Sequence, residues 1–454
     1  MRYTTLLPLA AAVTQAFVIP NEAIAQQLAL DPEPAHDEWS WWDSIPSLDD
    51  LRSSAEDTFS SALDAVDAGA KSLVDSLPEF DLEVPDFLSS SLEREHPGKG
   101  RKGHHGHHGH HGPSNLTVYQ AIQFSKYSTK FAKLVNEYPD IVKALNSTKH
   151  NITAFVPTDK AFDKIPEHHK KPSKEFIEKV IEYHLVPGLY PAGRILASHT
   201  LPTAVKEDAL GGKPQRLRVS IGLFGLRVNF YSKVVVANIF VKNGVIHGVD
   251  SILVPPPPAP RIISLFPQKF STLLLAGEKT GLGKELHGLR STGGTLFAPT
   301  NWAFEKLGPG ANAFLFNTEK GLGYLKALLK YHTVVNETLY SDAYYGKEGS
   351  DDINAESSQS HIDLPTLLED KNLSIDIASW GGFITFKING FTRVSIQDAI
   401  AKDGVIQVLS SVLIPPHEHH GEYVDGQEIE VEELIERLEP FLENKKEHLT
   451  VGEL

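Results

Sequence analysis

Thr153-Ala154-Phe155-Val156-Pro157-Thr158-Asp159-Lys160-Ala161-Phe162-Asp163-Lys164-Ile165 returns 142 residues later as Thr295-Leu296-Phe297-Ala298-Pro299-Thr300-Asn301-Trp302-Ala303-Phe304-Glu305-Lys306-Leu307. In both copies a short apolar run ends at proline and gives way to helical spacing, which predicts a buried strand followed by a helix. Thr158 and Thr300 stand where a helix N-cap belongs, and Phe162 with Ile165, or Phe304 with Leu307, share the inner face.

Outward from this stretch the repetition continues in the same order. Tyr183-His184 returns as Tyr331-His332. Phe176, Ile177, Val180, Ile181 and His184 fall on one side of a helix that stops at Pro187-Gly188, and Leu325, Leu328, Leu329 and His332 repeat that side. Lys242-Asn243-Gly244-Val245-Ile246 and Ile252-Leu253-Val254-Pro255-Pro256 return as Lys402-Asp403-Gly404-Val405-Ile406 and Val412-Leu413-Ile414-Pro415-Pro416. This last motif predicts a hairpin: Val234 to Val241 extended, a tight turn at Asn243-Gly244 with positive backbone angles, and a return through Val245 to Val254. Asp403-Gly404 supplies the second turn. Three ordered matches establish a tandem repeat. The offset grows from 142 to 148 to 160 residues, so the second copy carries insertions, the larger expected as a surface loop in Ser341 to Ser360. The copies also differ where His247 becomes Gln407 and Asp250 becomes Ser410.

The Thr-Ala-Phe-Val-Pro-Thr-Asp and Thr-Leu-Phe-Ala-Pro-Thr-Asn segments, the Tyr-His pairs and the Asn-Gly-Val-Ile-His and Asp-Gly-Val-Ile-Gln hairpins together resemble the fasciclin domain family. The resemblance implies an α+β fold: two tandem fasciclin-like domains, residues 113–256 and 261–416, each a β-sandwich wedge with packed helices. It implies cell adhesion and extracellular-matrix contacts, with no family-wide enzymatic activity. It also implies an integrin-binding role for Tyr183, His184, Tyr331 and His332. The competing reading of a histidine near the end of an amphipathic helix is structural, satisfying hydrogen bonds or the helix dipole.

Around this repeat the chain sorts by composition. Arg2, the apolar Leu6 to Val13 and the small residues up to Ala16 predict a signal peptide over residues 1–16, with cleavage as late as 25. Residues 31–95 are acidic. Within them Leu48, Leu51, Ala55, Phe59, Ala62, Leu63, Val66, Ala70, Leu73, Val74 and Leu77 recur at helical steps, for packing on the folded body or on a second copy. Association with a membrane surface is disfavoured by the acidic polar face. Residues 96–112 form a Gly/His spacer with nothing apolar to bury. Its His104, His105, His107, His108, His110 and His111 suit adventitious Zn, Cu or Ni, and no other cofactor is expected. Residues 257–260 read as a Pro-rich linker, and 417–454 as an acidic tail with helical spacing, expected to dock.

No segment apart from the leader approaches a membrane span, and a net charge of -15 argues against nucleic acid. The chain has no cysteine, which excludes disulfide staples and thiol catalysis. Five sequons, at Asn115, Asn146, Asn151, Asn336 and Asn372, predict a glycoprotein; Asn151 precedes a strand and is the least suited to modification. Neither a nucleophile elbow nor a zinc-protease helix is present. The sequence therefore predicts a non-enzymatic, secreted or cell-surface protein, vacuolar delivery being the alternative. Its expected partner is an extracellular protein or a cell-surface glycan, and oligomeric state is left open. A hydrophobic-ligand carrier or a metal-binding protein using the histidine tract is the alternative function.

Overall fold

The computed structural model describes residues 115–165, 172–222, 225–288, 291–346, 349–352, 359–380, 383–416 and 428–442. The expected signal peptide, acidic segment, Gly/His spacer and histidine tract lie outside the described residues. The described residues form two compact units dividing at Pro256 and Pro257.

In the first unit, helices α1 (Val118–Phe124), α2 (Thr129–Asn136) and α3 (Pro139–Asn146) precede β1 (Ile152–Pro157), α4 (Asp159–Phe162), α5 (Lys174–Tyr183) and β2 (Leu185–Pro187). After α6 (Ala192–Leu196) come β3 (Thr200–Glu207), β4 (Lys213–Gly222), β5 (Gly225–Val228), β6 (Ser232–Val241) and β7 (Gly244–Val249). They build one seven-stranded sheet in the order β2-β1-β7-β6-β5-β4-β3. Its outermost strands, β2 and β3, pack on each other, so the expected sandwich wedge takes the form of a nearly closed sheet. β1 lies between β2 and β7 and is buried on both faces. Ala154 and Val156 join the core made with α1 to α3, while Phe155 points to the other side with Tyr183, Leu201, Leu217 and Val249. β1 runs parallel to β7, so the opening and closing motifs of the repeat are neighbours.

The glycine of the hairpin is required for a different reason from the one the sequence suggested. Asn243 is not among the residues of positive φ, and neither is Gly244. A Cβ at Gly244 would instead lie 1.9 Å from the Ile152 carbonyl oxygen on β1. Gly404 repeats this, with a Cβ position 2.0 Å from the Gly294 oxygen and a φ of 150°. Close approach of the adjacent parallel strand fixes glycine there.

The second unit contains α7 (Ala259–Leu265), α8 (Pro267–Thr280), α9 (Leu282–Gly288), β8 (Gly294–Pro299), α10 (Asn301–Glu305), α11 (Pro309–Asn317) and α12 (Glu319–Tyr331). It continues with β9 (Thr333–Val335), β10 (Thr338–Leu339), β11 (Ala343–Gly346), β12 (Gly349–Asp352), β13 (Gln359–Pro365) and β14 (Asn372–Trp380). β15 (Phe383–Ile388), β16 (Thr392–Ala401), β17 (Gly404–Leu409) and α13 (Val431–Leu438) complete it. Its main sheet, β13-β14-β15-β16-β17-β8-β9, has the connectivity of the first.

Three departures from the sequence reading are local. The span read as a linker belongs to the second unit: the Pro257 carbonyl accepts from Lys402 N–H at 3.0 Å and Ala259 N–H donates to Asp403 Oδ1 at 2.8 Å. Leu116 with Lys242, and Val118 with Asn243, make the same two bonds in the first unit. The inserted stretch contributes β11 and β12, which pair with each other and, through β11, with β10 just before it, so part of it is ordered hairpin and not plain loop. Thr300 caps α10 through Ala303 N–H, whereas Thr158 makes no side-chain cap. Of the acidic tail the structure describes residues 428–442, where α13 buries Leu434 and Leu438 in the second core.

Candidate functional site

Ser173 caps α5 by accepting from Phe176 N–H, and the helix delivers Tyr183 and His184 at its C-terminal end. Neither residue reaches the surface: both have zero exposure. His184 Nδ1–H donates to the Val180 carbonyl at 2.7 Å, and Nε2 accepts from Leu253 N–H at 2.9 Å. The acceptor role of Nε2 fixes the neutral tautomer. Burial pushes the imidazole down to about 4, against a smaller upward pull from the Val180 bond.

Thr318 caps α12 and delivers Tyr331 and His332 in the same way. His332 bonds the Leu328 carbonyl at 2.7 Å and accepts from Leu413 N–H at 2.8 Å, and burial pushes it down to about 4. Both histidines thus tie the end of a helix to the chain segment beyond the hairpin. In both rings the two nitrogens are engaged, and neither side chain is more than 1% exposed.

The tyrosines depend on residues that the sequence reading missed. Tyr183 Oη donates to the Arg216 carbonyl at 2.9 Å and accepts from Asn229 Nδ2 at 3.0 Å; Asn229 Oδ1 accepts from Arg218 N–H. Asn389 Nδ2 reaches Tyr331 Oη at 2.9 Å, and its Oδ1 accepts from Ser374 N–H. Both asparagines adopt positive φ, 50° and 52°, a region Asn tolerates better than most residues. Burial raises both phenols, Tyr331 to about 12. Tyr183, His184, Tyr331 and His332, to which the resemblance attached a binding role, are all buried inside the two domains. Their observed role is internal.

The His247/Gln407 difference is also resolved by geometry. His247 Nδ1 accepts from Asn238 N–H at 3.4 Å, and Nε2–H donates to the Tyr190 carbonyl at 2.9 Å. Gln407 Oε1 accepts from Asp398 N–H at 3.1 Å, and Nε2 donates to the Leu339 carbonyl at 2.9 Å. Asn238 and Asp398 both sit at φ 60° beside irregularities in β6 and β16. Asn238 Oδ1 then accepts from Ala192 N–H, and Asp398 accepts from the backbone and hydroxyl of Ser341. Asp250 holds Lys233 N–H at 2.8 Å, a local bond separate from His247.

The acidic or amide residue of the opening motif has a comparable task. Asp159 accepts from Lys130 N–H and the Thr129 hydroxyl, and Asn301 accepts from Thr272 N–H, each pinning the neighbouring helix. Partial desolvation raises the Asp159 carboxyl, but the bonds from Lys130 and Thr129 outweigh it and hold it below its ordinary value.

Among the sequons, Asn115, Asn146, Asn151 and Asn372 are exposed and Asn336 is half-buried. The Asn336 side-chain oxygen accepts from Thr292 N–H, while Asn146 Oδ1 accepts from the Thr117 hydroxyl. Asn151 stands immediately before β1, and Thr153 of its sequon is fully buried, its hydroxyl on the Gly188 carbonyl. Among the described residues no group of three or more His, Asp or Glu is placed to hold a metal. Nor is any described helix long and apolar enough to cross a membrane.

The fasciclin domain model matches residues 126–255 and 268–415. Aurofusarin biosynthesis cluster protein S of Gibberella zeae is 31% identical over 323 residues, 67% of this chain and 78% of that protein. A fasciclin-like arabinogalactan protein of Arthroderma benhamiae is 24% identical, covering 66% of this chain and 68% of its own length. A solved FAS1 domain pair from the insect cell adhesion molecule fasciclin I aligns with a TM-score of 0.32 at 17% identity, over 63% of this chain and 96% of that one. With both matched regions lying on the two observed units, the chain belongs to the fasciclin domain family.

Proposed function

We propose that this protein is a secreted or cell-surface glycoprotein that acts by extracellular adhesion, with no catalytic step of its own. The observation that supports it best is the tandem match to a family that serves in adhesion and matrix contacts. Two weak contacts carried on one chain reinforce each other through effective concentration, which suits a paired adhesion module. The three most strongly shifted imidazoles, His184, His247 and His332, owe their shifts to burial and have both ring nitrogens engaged, which supports a structural reading over an enzymatic one.

The test is binding of the purified full chain to extracellular polysaccharides, matrix proteins and intact cells, with and without residues 17–112. Saturable binding that survives the truncation is expected. Binding abolished both by the truncation and by a chelator would move function to the histidine tract. The likeness to a protein named for a biosynthesis cluster supports a second reading, a carrier of a small hydrophobic product. Solvent extraction of the secreted protein, with mass spectrometry of the extract, tests it.

A further inference from the structure

The two domains differ in how far they cover one strand. In the first, β6 leaves Val235, Val236, Ile239 and Phe240 exposed at 48%, 48%, 44% and 39%. In the second, the residues 160 positions on include Ile396, Ala399 and Ile400, buried to 4%, 9% and 7% exposure. Val236, paired with Gly248, and Ile239, paired with Ile246, share one face, while Phe240, paired with Val245, lies on the other; the exposed apolar patch on the first face is Val236 and Ile239 with the adjoining bulge residue Val235.

Charge is distributed just as unevenly. Residues 113–256 hold 19 Lys/Arg against 11 Asp/Glu, a net of +8, whereas residues 257–416 hold 14 against 16, a net of -2. Residues 31–95 hold 3 against 18, a net of -15. The strand itself is flanked by Lys233 and by the exposed Lys242, and Arg227 on β5 is in register with Lys233.

We propose that the amphipathic segment Leu48–Leu77 docks on the β6 face of the first domain in the same chain. The segment offers what the face lacks: an apolar stripe including Phe59, Leu63 and Val66, and seven carboxylates against two basic residues. Residues 78–114 separate it from the first described residue, and a flexible chain of that length averages about 35 Å end to end, enough to reach across a small domain. Tethering at that length supplies a millimolar effective concentration, which favours the segment over a second copy in dilute solution. The inference concerns the chain alone and holds whatever the adhesion partner.

The absence of native cysteine makes the test clean. Val235→Cys in the full chain carries a benzophenone maleimide, and photo-crosslinks are mapped by mass spectrometry at low protein concentration, with and without anionic vesicles. The expected product is monomeric, with its crosslink inside residues 48–77. Phe59→Asp with Leu63→Asp, both outside the two matched fasciclin regions, should lower that yield about tenfold or more. A crosslinked dimer would assign the face to a second copy, and lipid adducts would assign it to a membrane. Either result, or a yield indifferent to the double substitution, overturns the proposal.

Discussion

In the first domain an imidazole, His247, spans the gap between the Asn238 N–H on β6 and the Tyr190 carbonyl; in the second an amide, Gln407, spans the corresponding gap between Asp398 and Leu339. The two side chains share one acceptor and one donor at similar separation, and nothing else. A carboxamide does not titrate in water, so proton transfer is not what this position supplies. What the interior requires is that a backbone N–H beside an irregular strand and a carbonyl on a loop both find partners, since either left unmade in a dry core costs about 1–3 kcal/mol.

The comparison can be pushed hardest where both domains keep glycine. Gly244→Ala and Gly404→Ala each place a methyl within 2.0 Å of a carbonyl oxygen on the adjacent strand. Each should cost its own domain about 4 kcal/mol or more, read as loss of the corresponding transition in denaturant unfolding. An ordinary tight turn would tolerate alanine in one of them.

His184→Ala and His332→Ala come next. Each removes a buried ring and strands the N–H of Leu253 or Leu413. We expect a loss of about 3–5 kcal/mol confined to the mutated domain, resolved by hydrogen exchange with mass spectrometry. Loss of partner binding with stability unchanged would restore a surface role for the Tyr-His pair.

The smallest effect tests the comparison itself. His247→Gln should cost about 1 kcal/mol or less at neutral pH, while His247→Ala should cost about 2–4 kcal/mol. Urea midpoints of the first domain separate the two.

Much of the fold was legible because it is written twice. The proline-terminated strand, the helix ending at Tyr-His and the hairpin are short, apolar and ordered alike in both copies, and tertiary structure places the strand beside the hairpin it recurs with. Less was legible where a residue's partner is remote. Asn229 and Asn389 sit in the dissimilar contexts Val-Asn-Phe-Tyr and Ile-Asn-Gly-Phe, and only their offset of 160, shared with the hairpin, links them. The burial of the Tyr-His pair depends on segments 33 to 81 residues away that close over it. Exposure of β6 was hidden for another reason: its irregular pairing breaks the alternation that reveals a strand's faces.

The central claim, that these histidines are buried neutral links, makes an acid prediction of definite sign. Burial holds His184, His247 and His332 at about 4 against an ordinary 6.5. Between those values the unfolded chain binds protons that the folded chain does not. The stability each contributes is complete above pH 6.5 and is lost as pH falls toward 4. Among the described residues the first domain carries two such groups and the second one, because Gln407 replaces the other. The most direct measurement is hydrogen exchange of each domain at pH 7 and pH 4.5, corrected for intrinsic rates, in the native chain and in His247→Gln. The first domain's acid-induced loss should shrink by about 2 kcal/mol in the variant, with the second domain unchanged. An acid loss unaltered by His247→Gln would contradict the buried neutral state of His247 and the equivalence of the two domains built on it.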